Sequence, residues 1–171
     1  MRRTTATPEP ELPATVLLPD VEAAVEVDCI RAGAAWCHSQ VAGLQFYDYG
    51  KEGLDGAPIR PVEGNRLNLV RSPSNLSDKY AVEVWWRNDK RIGHLPREVA
   101  AVVAKWMDQG HWLRAYVADG GNGRPWSAKV LLVGEPVRHY HDNRTGRAAA
   151  AARSIDEAGR RHAALAARRS A

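Results

Sequence analysis

Two places in the chain set side chains capable of covalent or metal chemistry close together, Cys37-His38 and His139-Tyr140-His141-Asp142. A thiol becomes a nucleophile only when a base is aimed at it, and adjacency along a chain does not aim an imidazole at its neighbour. Cys37 therefore reads as a buried structural thiol. The two imidazoles and the carboxylate of the second cluster could begin a zinc site, since residues 139 and 141 would share a face on a strand, yet no further His or Cys follows at ligand spacing. No G-x-x-x-x-G-K-[ST] stretch is present to cradle a nucleotide phosphate, which argues against a P-loop motor in this polypeptide. The expectation is a protein that binds rather than one that catalyses, with no cofactor and no metal.

Charge points to the class of ligand. The chain has 171 residues and a net charge of +4, and the charge is unevenly placed. Residues 1–39 carry three arginines against six acids, whereas residues 140–171 carry seven arginines against three. An acidic head, a mildly basic middle and a basic tail suit a weak polyanion binder, with a solvated arginine-rich end as the plain alternative. Cys29 and Cys37 are the only cysteines, too few for a disulfide scaffold, and both read as reduced. No apolar run approaches the ~20 residues of a membrane span. Thr4 to Pro13 stand where a secretory leader would need its apolar stretch. No membrane partner is expected, and the expected location is cytoplasmic or nucleoid-associated.

The elements that would position such a site follow from periodicity. Residues 1–14, with three prolines, read as a flexible lead-in, and residues 15–39 as an extension of uncertain form packed on the core. Residues 40–139 form the domain proper. Val41 to Tyr47 reads as a strand, followed by a long polar connection from Asp48 to Asn65. Residues 66–71, Tyr80 to Arg87 and Lys90 to Leu95 read as three antiparallel strands, the last two joined by a tight turn at Asn88-Asp89. Pro96 suits the first position of a helix over Arg97 to Gln109, with an apolar stripe at Val99, Val102, Val103, Trp106 and Met107, and Gly110 as its cap. Trp112 to Val117 and Trp126 to Val137 complete the strands, and Trp112 and Trp126 read as core. The fold class is mainly β or α+β: a small OB-like barrel of about six strands with one principal helix. Residues 140–171, rich in Ala and Arg, read as a basic helical or disordered tail.

Three segments in this order resemble a known family. Val41-Ala42-Gly43-Leu44, the stretch from Leu67-Asn68-Leu69-Val70-Arg71 through Ser72-Pro73-Ser74-Asn75 and Asp78 to Ala81-Val82-Glu83-Val84, and Ile92-Gly93-His94-Leu95-Pro96-Arg97-Glu98-Val99-Ala100 are similar to the HIRAN domain. The whole resembles a stand-alone, bacterial-type member. The resemblance implies an OB-like barrel that binds single-stranded DNA and captures a free 3′ end in repair, replication-fork or mobile-element settings. It also implies a helicase or nuclease partner acting in trans.

The resemblance assigns roles residue by residue. Asp78 would accept the terminal 3′-hydroxyl, a donor that an internal nucleotide lacks; as a plain turn residue it would instead bond its own backbone. Phe46 would stack on a base, although Tyr47 could be the outward ring of the two if they lie on a strand. Lys79, His94 and Arg97 would line the phosphate groove, with Arg66, Arg71 and Asn75 beside them. Gln45 and Ser77 depart from the family pattern, which has an Arg and a second aromatic there, and the departures weaken a two-sided base clamp. A second reading is a protein-interaction adaptor whose tail docks a nuclease or helicase; steep salt dependence of binding would separate DNA contact from that.

Overall fold

A computed structural model describes residues 29–147 except 31, together with residues 153, 154 and 160. The lead-in at residues 1–14 and most of the tail lie outside the described residues. Six strands form one antiparallel sheet: β1 (Trp36–Gln40), β2 (Arg66–Arg71), β3 (Val82–Trp86), β4 (Lys90–His94), β5 (Arg114–Asp119) and β6 (Lys129–Val133), in the order β1-β6-β5-β2-β3-β4. The helix α1 (Arg97–Asp108) follows β4.

The sheet curls until its edges meet. Val41, just beyond β1, still donates to the Ala128 carbonyl next to β6 at 3.0 Å. One residue later Ala42 has crossed to β4, where it and His94 exchange both backbone hydrogen bonds, at 2.8 and 2.9 Å. This single residue pair closes the barrel and leaves neither β1 nor β4 as a long free edge. Close approach at the seam requires glycine at position 93, because a Cβ there would stand 2.4 Å from the Ala42 carbonyl oxygen.

Apolar side chains from β2 to β6 fill the interior. Leu67, Val82, Val84, Ile92, Val117, Val130 and Leu132 are buried, with Val41, Leu44 and Leu95 from the adjoining turns. Outside β6 a second cluster forms from Ile30, Trp36, Tyr116, Leu131 and Val133. Residues 30 and 36 both belong to the stretch that the sequence left as an uncertain extension, and β1 begins within it.

Several expectations need correction. The strand near residue 40 is Trp36–Gln40, whereas Leu44–Phe46 is a 3₁₀ turn that Gly43, at φ 75°, admits by turning the chain out of the seam. The buried residues of α1 are Ala100, Val103 and Ala104, not the full valine and tryptophan stripe, and Trp106 is exposed. Small side chains centre that contact. Pro96 caps α1 from outside rather than occupying its first turn. Trp112 and Trp126 are each 47% exposed and so are not core residues. Residues 139–147 are helical and belong to a separate compact unit, so His139 and His141 do not share the face a strand would give them. Among the described residues no group of three His, Cys, Asp or Glu side chains could hold a metal ion.

Candidate nucleic-acid interface

The candidate site lies on the outer face of β3 and β4, beside the seam. Strict alternation along β4 would put Arg91 and His94 on opposite faces. A bulge intervenes: His94 pairs with Glu83 and Gly93 with Val84, but Trp85 pairs with Arg91, so Ile92 is the extra residue. Ile92 is buried, and Arg91 and His94 emerge on the same side.

Both side chains meet Tyr47. The Arg91 guanidinium lies 4.2 Å from the Tyr47 ring centroid, and the His94 ring stands edge-on to Tyr47 at 5.1 Å. Glu83 fixes the other side of Arg91, accepting from its Nη1 at 2.8 Å and from Trp85 Nε1 at 2.9 Å. Asp48 accepts from the Arg91 backbone at 3.1 Å and thereby ties the turn after Tyr47 to β4. Phe46, in contrast, is 74% exposed, with its ring turned to solvent.

Asp78 comes to this surface from the β2–β3 loop. Asn75 folds that loop, its side-chain oxygen accepting from the backbone of Ser77 at 2.9 Å and of Asp78 at 3.1 Å. Asp78 Oδ1 in turn accepts from Tyr80 N at 2.9 Å, the turn role that its residue type suggests. Its Oδ2 faces Arg97 Nε at 3.9 Å, beyond hydrogen-bond reach, while the carboxylate is only 20% exposed. Arg97 reaches the loop directly, donating to the Ser77 carbonyl at 2.6 Å. Lys79 sits over the Tyr80 ring at 5.0 Å.

Arg71 braces the loop from behind. It makes a two-pronged contact with Asp108 at the end of α1, at 2.8 and 3.1 Å, and donates to the carbonyls of Ala81 and Lys79. The hydrogen bond from Arg71 holds the Asp108 carboxyl below its ordinary range. Of the residues singled out from the sequence, the fold gathers Phe46, Tyr47, Asp78, His94 and Arg97 along one arc, with Lys79 at its rim, and places Arg71 and Asn75 beneath as supports.

Partial burial lowers the His94 pKa; Glu83 pulls it up, Arg91 pulls it down and Asp78 pulls it up more weakly. Its Nε2 is enclosed and receives no hydrogen bond from any described residue. Burial thus favours the uncharged ring, which packs edge-on against Tyr47. Arg91, its charge countered by Glu83, packs against Tyr47, and Arg97 and Lys79 are the cations left facing solvent on this surface. Arg91 is the residue the sequence reading missed, because the bulge that turns it to this face leaves no period-2 signal.

A six-stranded antiparallel barrel, with the helix α1 after β4 and an aromatic and basic arc beside its seam, is a small fold of the OB-like class. The family model of the HIRAN domain matches residues 37–144, and the chain belongs to that family. It is 30% identical over 97 residues to the nucleoporin NDC1 of Chaetomium thermophilum, covering 57% of this chain but only 15% of that protein's length. Among solved structures it is similar to the HIRAN domain of human HLTF (20% identity, 68% of this chain and 93% of that one, TM-score 0.47). A protein from Lactobacillus plantarum is similar at 23% identity, 60% and 97% coverage and TM-score 0.47. A further match is the HLTF HIRAN domain in its DNA-bound conformation, at 22% identity, 65% and 88% coverage and TM-score 0.44.

Proposed function

We propose that this HIRAN domain binds single-stranded DNA and captures a free 3′ end, as a non-catalytic module in repair, replication-fork or mobile-element settings. A helicase or nuclease in trans would act on the DNA it holds. Family membership supports DNA binding in general. The observation that carries the end-specific reading is the Asp78 carboxylate: mostly buried, fixed through Oδ1 by the Tyr80 amide, with Oδ2 turned toward the arc. A carboxylate oxygen accepts strongly from a hydroxyl and repels a phosphate, so it favours a chain end over a continuing strand. Arg97 and Lys79 offset its charge for the neighbouring phosphodiester. Phe46 offers a flat face to the terminal base, a contact worth ~1–3 kcal/mol per base and indifferent to sequence.

Binding to three oligonucleotides tests this: one with a free 3′-hydroxyl, one with a 3′-phosphate, and a circle. The free end should bind tightest, the circle more weakly and the 3′-phosphate weakest, while a 5′-phosphate changes nothing. Equal affinity for all three would exclude end capture.

A further inference from the structure

The outer face of the barrel does not stop at Trp85. Asn68 on β2 stands directly across from Trp85, and Arg66 lies two residues along on the same face. Both open onto a groove of about 430 Å³ lined by Asn65, Arg66, Asn68, Trp86, Arg87 and Asn88. The lining holds two guanidinium groups, three carboxamides and an indole, with no carboxylate among them. The tip of the β3–β4 hairpin is held in place over it. Arg87 and Asn88 adopt left-handed backbone conformations, at φ 53° and 63°, the pairing of a tight hairpin turn. The Arg87 guanidinium lies 4.1 Å from the Trp86 ring centroid, and the Asn68 amide donates to the Asn88 side-chain oxygen.

A second cavity, of about 240 Å³, shares Trp86 and Arg87 and adds Asp55, Asp89 and Lys90, with Lys90 and Asp89 paired at 3.0 Å. Charge separates the two. In the smaller cavity the two carboxylates balance Arg87 and Lys90, whereas the groove holds two arginines and no carboxylate and so favours a polyanion.

We propose that this groove is a second contact for the DNA strand, taking its phosphodiester backbone a few nucleotides upstream of the end held at Asp78. The proposal rests on the DNA-binding reading above. Arg87 stands just past the far end of β3 from the Asp78 loop, so at ~3.3 Å per residue the path from residue 82 to residue 87 runs about 17 Å along the strand, within the span of a few extended nucleotides. Arg87, stacked on Trp86, presents its edge to a phosphate without first having to be ordered, and the carboxamides donate to phosphate or sugar oxygens. Such contacts position a strand but carry no sequence information, so the groove adds affinity with length and not with sequence.

The test compares thymidine oligonucleotides with free 3′ ends, from dinucleotide to octanucleotide, on the full chain and on two variants. Affinity of the unmodified protein should rise roughly tenfold or more between the shortest and the longest. Arg87→Glu should bind the dinucleotide as before, lose most of that gain, and lower the salt slope for the octanucleotide by about 0.7, one phosphate contact on a single strand. Asn68→Lys, which adds a cation to the groove, should tighten the octanucleotide alone, so a folding defect in the first variant does not decide the matter. Length-independent affinity, or equal changes for short and long strands, would overturn the groove and leave the end-binding reading standing. Failure of every oligonucleotide to bind, the dinucleotide included, would overturn both.

Discussion

The two halves of this barrel are built from strands of different character. In β6 every residue from Val130 to Val133 is buried, because Val130 and Leu132 face the barrel interior while Leu131 and Val133 face the outer cluster around Ile30 and Trp36. Strands β2, β3 and β4 bury one face only and turn Asn68, Glu83, Trp85, Arg91 and His94 outward or partly outward. Burial on both sides leaves a strand no free surface for recognition, and burial on one side leaves half of its residues for it. The half made of β1, β5 and β6 is thus the scaffold, and the half made of β2, β3 and β4 carries the chemistry. Folding stability and ligand affinity should accordingly respond to different substitutions.

The largest expected effect is in the scaffold. Leu132→Ala removes a fully buried side chain and should cost ~2–5 kcal/mol in urea unfolding. DNA affinity per folded molecule should stay unchanged; a parallel loss of affinity would break the division. On the other half, Asp78→Ala should cost ~1.5–3 kcal/mol of binding to a free 3′ end, as for a hydrogen bond to a charged group, and little for a circle. Its unfolding midpoint should move far less than that of Leu132→Ala. A circle weakened as much as the free end would assign Asp78 to holding the loop.

Gly93→Ala sharpens the comparison because the seam belongs to both halves. Its Cβ would collide with the Ala42 carbonyl and with Val41, an overpacking that should cost about 1–3 kcal/mol, and it should also weaken DNA binding by displacing His94 and Tyr47. Loss of stability with intact binding would detach the site from the seam. The smallest effect expected is with pH. The His94 pKa is lowered in the fold, so the unfolded chain takes up the proton more readily. Its contribution to stability is complete above about pH 6.5 and is lost as the pH falls through the lowered value. Urea midpoints measured from about pH 7.5 to 5 should show a decline that His94→Gln reduces; an identical decline in the variant would place the titrating group elsewhere.

How much of this was legible in the sequence varies along the chain. The strands β2 and β3 follow period-2 runs, β4 is a β-forming run interrupted only by its bulge, and α1 has helical spacing after a proline, so their places were readable to within a few residues. The run from Val41 to Tyr47 was not, since its β-forming residues serve another purpose: Val41 and Leu44 plug the barrel while Gly43 turns the chain away. The true strand, Trp-Cys-His-Ser-Gln, has a weaker signature and gains its place from pairing with β6, nearly a hundred residues on. Asp78, Phe46 and His94 were singled out through resemblance, whereas the bracing contact of Arg71 and the placement of Arg91 were hidden for different reasons. Arg71 depends on Asp108, far along the chain, and Arg91 on a bulge.

The pair Ala42 and His94 gives the ring of strands a preferred place to breathe. Every other junction in the barrel is a ladder of at least two residue pairs, whereas here one residue pair, with the Asp48–Arg91 contact beyond the turn, completes the circuit. Local opening begins where the fewest bonds must break, so the amides of residues 42 and 94 should exchange with solvent before those of β5 and β6. His94 is both a lock of the ring and a wall of the arc, which makes amide protection at the seam a direct reporter of whether the arc is occupied.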